Sequence, residues 1–305
     1  MARVAAVIAE GRTPTGEVRK LGDIDVYVSK PKDYPRASSR FLLLLTGGTG
    51  MQSTNNQIQA DMYADAGFVV VMPDLFGGDV APNSSTELSE DLQGASSAAA
   101  ASSSSFLDIF KFKAVETIKT FMIDMWLARH TEAKVLPILH QVIASSREEF
   151  ADAISSGGGV YAVGYCFGGR YVLLLAADKS QGQDAAAPAE ETSVRADNLE
   201  AGTTPRKGPL IKAGVLAHAT LVSPDDFQGL QSPISMVCVE SDPMFPDGVR
   251  TVGEDYMSKN NIEHEVQVYP GVPHGFAVVG DYDDDHIKEA QGHAFEQMLK
   301  WLNAH

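Results

Sequence analysis

A cysteine between glycines, at the point where an apolar strand gives way to an apolar helix, constrains this chain most. The segment VGYCFGGRYV runs from Val163 to Val172 and contains the pattern Gly164-x-Cys166-x-Gly168. Small residues two positions before and after the cysteine permit a sharp, strained turn between strand and helix. Such a turn holds its central side chain up at the end of a sheet, as in a nucleophile elbow. The pattern predicts an α/β fold with Cys166 as a nucleophile.

The alternative is that Cys166 is a buried structural residue, because free cysteines are often buried. Two features of the segment favour the nucleophile. The helix that begins here points its positive end at the sulfur, which favours the thiolate. Gly169 follows the pattern and allows the helix to pack close to the strand.

Apolar and periodic segments alternate along the rest of the chain. Strands are predicted at Asp23–Pro31, which alternates as an early edge strand does, and at Arg40–Gly50, Phe68–Asp79, Ala213–Ala217, Ile234–Glu240 and Glu263–Tyr269. Helices are predicted at Asn55–Gly67, from about Phe106 to Arg129, at Thr131–Ile154, near Gly248–Asn260 and from about Asp285 to Asn303. We therefore predict one α/β domain over residues 1–305, with a mostly parallel central sheet flanked by helices.

Two polar stretches interrupt this alternation. Residues from about 81 to 105 are rich in Ser and Ala, and residues from about 178 to 208 are rich in Ala, Pro and Gly. Neither composition can support a core, so both are predicted to be low-complexity surface insertions.

Charge and cysteine usage narrow the possible partners. The formal net charge of -16 disfavours binding to phosphate backbones and to anionic lipid surfaces. The 2 cysteines cannot make a disulfide framework, which is typical of a reducing compartment. The sequence therefore predicts a cytoplasmic protein, monomer or homodimer, with a small-molecule substrate and with no nucleic-acid or membrane partner. No phosphate loop or zinc-ligand spacing indicates a cofactor or a metal.

A cysteine nucleophile needs a base and a residue that orients the base. Asp242 and His274 both follow apolar strands, at the carboxyl ends where parallel sheets place their active sites. His218, at the end of another strand, competes for the role of base, although it precedes the acid in the chain. Asp247 competes for the role of acid, but its position favours the start of the next helix.

With these motifs the sequence resembles the dienelactone hydrolase family, a branch of the α/β-hydrolases that uses a Cys-Asp-His triad. The resemblance is strongest to fungal and other eukaryotic members, and it covers most of the chain outside the two insertions. The matching segments are NNQIQADMYADAGFVVVMPDLFGGD, VGYCFGGRYV, AGVLAHATLVSPDDF, ESDPMFPD and GVPHGFAV. The resemblance implies a single-domain α/β-hydrolase fold.

By position, the resemblance implies that Cys166 is the nucleophile, Asp242 the acid and His274 the base. The oxyanion hole would be formed by backbone N–H groups of Phe167 and of the loop near Gly48. It implies hydrolysis of an ester or lactone through a thioester acyl-enzyme, without a cofactor. The alternative is a non-hydrolytic member that binds or isomerises a small molecule, and a thiol sensor is a third possibility.

Two positions depart from the family pattern. The family commonly has an acidic residue in the loop on the oxyanion side, where this sequence has Gly47. Bacterial members bind a substrate carboxylate through an arginine just after the triad histidine, whereas His274 is followed by Gly-Phe-Ala-Val-Val. A neutral or aromatic lactone or ester is therefore expected, held by an apolar rim.

We assign Cys238 and Trp126 to packing.

Overall fold

A computed structural model describes residues 11–82, 122–178 and 208–305. These residues form a single α/β domain around a sheet of 8 strands in the order β1-β2-β4-β3-β5-β6-β7-β8. The strands are β1 Glu17–Leu21, β2 Ile24–Ser29, β3 Arg40–Leu45, β4 Phe68–Pro73, β5 Val160–Tyr165, β6 Ala213–Ala217, β7 Ile234–Val239 and β8 His264–Tyr269. The pairs β1–β2 and β2–β4 are antiparallel, and the other pairs are parallel.

Helices cover both faces of the sheet. They are α1 Thr54–Asp65, α2 Glu132–Glu149, α3 Ala151–Gly157, α4 Phe167–Ala176, α5 Asp247–Lys259 and α6 Asp285–Ala304, and residues 122–129 are also helical. Helices α2 to α5 contribute to the core on one face, and α1 and α6 contribute to the core on the other. None of the described helices combines the length and apolar character needed to cross a bilayer.

The continuous apolar run of β3 is explained by this double covering. Phe41, Leu43 and Leu45 pack into the core on one face, whereas Leu42 and Leu44 pack into the core on the other. Successive side chains of a strand point to opposite faces, so a strand buried on both sides is apolar throughout. The carboxyl end of β3 therefore opens directly from the core into the loop at Gly47.

The structure corrects the sequence-based prediction for β2, which is not an edge strand. It pairs with β4 on one side and with β1 on the other. Strand β1 was not predicted because only Val18 and Leu21 are apolar in its sequence EVRKL, and its burial is slight. It forms a hairpin with β2 through Gly22, whose φ of 60° is in the left-handed region.

The single helix predicted over Thr131–Ile154 is also wrong, because the chain breaks into α2 and α3 at Phe150. The Phe150 backbone leaves the helical region, with φ −114° and ψ 34°. Its ring is buried and lies 5.8 Å from the ring of Phe41, so packing on the sheet overrides helical periodicity here. The two predicted insertions, and the part of the predicted helix before residue 122, lie almost wholly outside the described residues.

Candidate active site

Cys166 occupies a strained turn between β5 and α4. Its φ of 49° and ψ of −115° are unusual for a residue with a side chain. A Cβ atom at Gly164 would lie 2.3 Å from the Gly168 carbonyl oxygen, and one at Gly168 would lie 2.4 Å from the Leu45 carbonyl oxygen. Only glycine fits at either position, because real Cβ atoms do not approach backbone atoms so closely.

Backbone hydrogen bonds fix this turn to the neighbouring strands. The Cys166 N–H donates to the Ala217 carbonyl at the end of β6 (3.0 Å), and its carbonyl accepts from the Thr220 N–H (3.1 Å). The Gly168 N–H donates to the Thr46 carbonyl after β3 (3.1 Å). A Cβ at Gly169 would lie 2.7 Å from the Ala219 Cβ, so this glycine lets α4 approach the segment after β6.

The two cysteines have different surroundings. Cys166 is partly exposed, whereas Cys238 is buried in β7. Burial, the largest influence, raises the pKa of the Cys238 thiol to about 12. Cys238 therefore stays a thiol at neutral pH and serves packing.

His274 and Asp242 lie in adjacent loops after β8 and β7 and form a hydrogen-bonded pair. His274 Nδ1 is 2.7 Å from Asp242 Oδ2. Asp242 is buried, and its other carboxylate oxygen accepts from the Met244 N–H at 2.9 Å. Because both carboxylate oxygens are engaged, the acid is held in one orientation behind the imidazole.

His274 also interacts with Cys166. Burial acts to lower the pKa of His274, but the Cys166 sulfur and then the Asp242 carboxylate outweigh it, and the pKa is raised. His274 Nε2 is buried and has no hydrogen bond of ordinary geometry within the described chain. The imidazole is thus hydrogen-bonded to the carboxylate of Asp242, and the sulfur of Cys166 also raises its pKa.

The structure also places the alternative base, His218, and the alternative acid, Asp247. His218 is buried beside the ring of His274 and makes no contact with a carboxylate in the described structure. Asp247 is the first residue of α5, where it is exposed and pairs with Arg250 at 3.3 Å. The geometry thus pairs Asp242, and not Asp247, with His274.

The loop after β3 lies against the cysteine. Gly47 is its nearest glycine to the sulfur, since a Cβ there would lie 3.0 Å from Cys166 Cβ and 3.6 Å from Sγ. The carbonyl of Gly48 accepts from the Ala81 N–H at 2.9 Å. Phe167 begins α4, so its N–H has no acceptor within the helix. The oxyanion roles of Phe167 and Gly48 stay predictions.

Asn56 holds this loop and was not identified from the sequence. The buried Asn56 side chain donates to Thr49 Oγ1 (2.9 Å) and to the Gly50 carbonyl (2.7 Å). Because these bonds join α1 to a loop that precedes it, no local pattern indicates them. The sequence signal that could have identified Asn56 is its polar side chain on the buried face of a predicted helix.

An aromatic cluster of Phe76, Trp126, His130 and Phe167 lies beside the same loop. Ring centroids are 4.9 Å apart for Phe76 and Trp126 and 5.4 Å apart for Trp126 and Phe167. Trp126 is buried as predicted, and its indole N–H donates to the Asp79 carbonyl at 2.7 Å. The cluster supports the residue after Cys166 from the side of the helical residues 122–129.

The sequence is similar to those of known proteins. The dienelactone hydrolase family model matches residues 24–305. The chain is 26% identical to Hydrolase pyvD of Aspergillus violaceofuscus, covering 98% of this chain and 94% of the relative. It is 26% identical to Hydrolase tropI of Talaromyces stipitatus, covering 95% and 90%.

Solved structures agree on the fold. A proposed dienelactone hydrolase from Klebsiella pneumoniae aligns with a TM-score of 0.61 and 16% identity, over 95% of this chain and 99% of that chain. A propionate-bound esterase from Thermogutta terrifontis aligns with a TM-score of 0.57 and 16% identity, over 95% of each chain. The match of the family model across nearly the whole chain, together with the related hydrolases, identifies the protein as a hydrolase of the dienelactone hydrolase family.

Proposed function

We propose that the protein hydrolyses an ester or lactone of a small molecule through a Cys166–His274–Asp242 triad. The observation that carries this proposal is the imidazole of His274, which pairs with the buried Asp242 and interacts with Cys166 on the strained turn. A nucleophile, a base and a residue that orients the base are the parts that acyl transfer requires.

In the first half-reaction, the Cys166 thiolate attacks the carbonyl carbon and a C–S bond forms. The carbonyl electrons move onto oxygen, and backbone N–H groups such as that of Phe167 stabilise the oxyanion. When the intermediate collapses, the C–O bond to the leaving group breaks and His274 donates a proton to the departing oxygen. A thioester acyl-enzyme remains.

In the second half-reaction, His274 takes a proton from water and the hydroxyl oxygen attacks the thioester carbon. The C–S bond breaks, the carboxylic acid leaves, and the thiolate is restored beside a protonated His274. Asp242 holds the Nδ1–H tautomer throughout, because its carboxylate can only accept a hydrogen bond from that nitrogen.

Exposed apolar side chains in the loops that carry His218 and Asp242 support a neutral substrate, whereas most of the apolar residues that follow His274 are buried. Phe276, Ala277 and Val279 are buried in the core. Exposed apolar side chains come instead from the loops after β6 and β7, where Leu221 is 44% and Met244 is 45% exposed. Because these loops also carry His218 and Asp242, their apolar side chains favour an alkyl or aryl ester or lactone.

The arginines on the neighbouring elements support the same substrate class. Arg170 of α4 pairs with Asp226 and Glu132, and Arg250 of α5 pairs with carboxylates of its own helix. These guanidinium groups are neutralised by the protein, which leaves them poorly suited to bind a substrate carboxylate.

The test is hydrolysis of a panel of aryl esters and lactones, such as p-nitrophenyl acetate and dihydrocoumarin. We expect Cys166→Ala to abolish turnover and Cys238→Ala, the matched thiol control, to retain it. Rapid quenching and mass spectrometry should find the acyl group on a peptide containing Cys166. If Cys166→Ala kept within about tenfold of the wild-type kcat, a loss of only about 1.4 kcal/mol, the proposed mechanism would be wrong. Binding of the substrates without turnover would favour the non-hydrolytic alternative.

A further inference from the structure

His218 is held in an unusual position next to the triad. It follows β6 directly, with a φ of 37°, and its backbone N–H donates to the Val237 carbonyl at 2.7 Å. A residue with a side chain rarely adopts a positive φ, and maintaining it needs support from the surrounding structure. Here that conformation places a polar ring in the interior, where only 1% of the residue is exposed.

The ring of His218 packs against the ring of His274. Their centroids are 5.0 Å apart with planes at 66°, an edge-to-face arrangement. Tyr165, at 5.8 Å, and Phe276, at 6.3 Å, complete the aromatic surroundings. His218 is therefore enclosed by aromatic rings and by His274, and the backbone of Cys166 is hydrogen-bonded to Ala217 and Thr220 on either side of it.

Neither ring nitrogen of His218 has a hydrogen-bond partner among the described residues. Burying polar atoms in this way destabilises a fold, so packing alone would favour phenylalanine at this position. Burial, followed by the charge on His274, lowers the pKa of His218 to about 3. The ring is therefore neutral whenever the enzyme is near neutral pH.

A neutral imidazole is a dipole with one N–H and one lone pair, and hydrogen bonds usually determine which nitrogen carries the proton. Since no such bond fixes the tautomer of His218, its dipole can orient in the field of a neighbouring charge. The interior strengthens this interaction, because little water screens it. The charge that varies beside His218 is that of His274.

We propose that His218 is a positioning residue that stabilises the protonated form of His274 through the dipole of its uncharged imidazole. This inference rests on the proposed function, in which His274 is the base. Tyr165 also faces His218. The Tyr165 hydroxyl is hydrogen-bonded to that of Tyr63, and burial raises its pKa well above the ordinary value, so Tyr165 stays neutral. Cys166 follows the strand next to that of His218, and Asp242 is hydrogen-bonded to His274.

The proposal has a specific kinetic consequence. His274 is cationic when it is paired with the thiolate, and it becomes cationic again when it takes a proton from water. Loss of the His218 dipole should therefore reduce kcat about tenfold, as expected of an interaction made mainly in the charged states. The KM should stay within about twofold, because only 1% of His218 is exposed and it offers almost no surface to a substrate.

The decisive variants are His218→Phe, which keeps an aromatic ring but removes its nitrogens, and His218→Gln, which restores a polar group. Iodoacetamide alkylation of Cys166 across pH reports the thiolate–imidazolium pair, with Cys166→Ser to subtract any reaction at Cys238. In His218→Phe we expect the midpoint of the rate profile to move to higher pH by about one unit. The midpoint for His218→Gln should lie between those of the wild type and of His218→Phe.

An unchanged alkylation profile in His218→Phe would overturn the inference, because loss of packing alone does not predict this shift and its absence excludes an effect on charge. If His218→Phe does not fold, a measurement on the wild-type protein still tests the proposal. In ¹⁵N-histidine NMR the His218 signals should remain those of a neutral ring, and their tautomer ratio should change as His274 titrates. Protonation of His218 together with His274, or a constant tautomer ratio, would also overturn it.

These outcomes are separable from failure of the proposed function. If Cys166→Ala and His274→Ala retain hydrolysis, the triad itself is wrong. If both variants abolish hydrolysis while His218→Phe matches wild type in kcat and in alkylation, only the role of His218 is wrong.

Discussion

Gly47 lies directly against the side chain of Cys166. A Cβ atom at Gly47 would be 3.0 Å from the Cys166 Cβ and 3.6 Å from its sulfur. Any side chain at this position would therefore contact the cysteine. With glycine there, position 47 brings no carboxylate against the sulfur to oppose formation of the thiolate, whereas His274 interacts with Cys166.

We predict that Gly47→Glu slows iodoacetamide alkylation of Cys166 by about tenfold at pH 7, because a nearby negative charge disfavours a second one. The matched control is Gly47→Gln, which has nearly the same shape and the same crowding against Cys166 but no charge. Alkylation rates of the two variants across pH are the measurement. Equal rates for the two variants would mean that charge at this position does not control the thiol.

Asp242→Asn should reduce kcat by about 10⁴, because an amide cannot enforce the tautomer in which His274 carries its proton on Nδ1. The hydrogen bond from the Met244 N–H to the other side-chain oxygen can persist in this variant. Asp247→Asn is the control, since Asp247 is exposed and pairs with Arg250. The assignment of the acid would be reversed if Asp247→Asn were the inactive variant.

The stability of the protein should fall as pH is lowered from about 6.5 towards 3, because an unfolded histidine titrates near 6.5. The pKa of His218 in the native state is about 3, so over this window the unfolded chain binds a proton that the native His218 does not. At pH 4.5 this difference amounts to about 2–3 kcal/mol of unfolding free energy. The raised pKa of His274 acts in a different window. The contribution of His274 to the stability of the protein is fully present below about pH 6.5 and is lost at higher pH.

The contribution of His218 is isolated by comparing urea unfolding of wild type and His218→Phe between pH 7 and pH 4.5. We expect the variant to lose less stability than wild type over this range. Parallel curves for the two proteins would show that His218 is protonated in the native state or is not the source of the acid sensitivity.

Replacing most of Ser180–Thr204 with a short Gly-Ser linker should change the melting temperature by less than about 3 °C, since the segment cannot support a core. The chain is anchored on both sides of this segment. The Leu210 N–H donates to the Leu175 carbonyl and the Asp178 N–H donates to the Gly229 carbonyl, both at 2.9 Å. Loss of cooperative thermal unfolding would instead identify the segment as part of the core.

Much of the fold could be predicted from local sequence. The apolar runs of β3 to β7 predicted the positions of these strands, because a strand covered on both faces must be apolar along its length. The glycines around Cys166 predicted the strained turn, since only glycine tolerates the close backbone contacts that the turn creates. The hairpin strand β1 was missed because its pairing with β2, and not burial of its side chains, makes it a strand.

The sequence by itself determined which residues have the chemistry for acyl transfer and where strands end. Only the tertiary structure decided which of them meet. The alternatives Asp242 and Asp247 both follow β7. Asp242 is hydrogen-bonded to His274, whereas Asp247 is the exposed first residue of α5. The burial of His218 against His274 likewise depends on the order of β5, β6 and β7 in the sheet. Local patterns encode backbone conformation and burial, whereas contacts between side chains distant in sequence depend on how the whole sheet assembles.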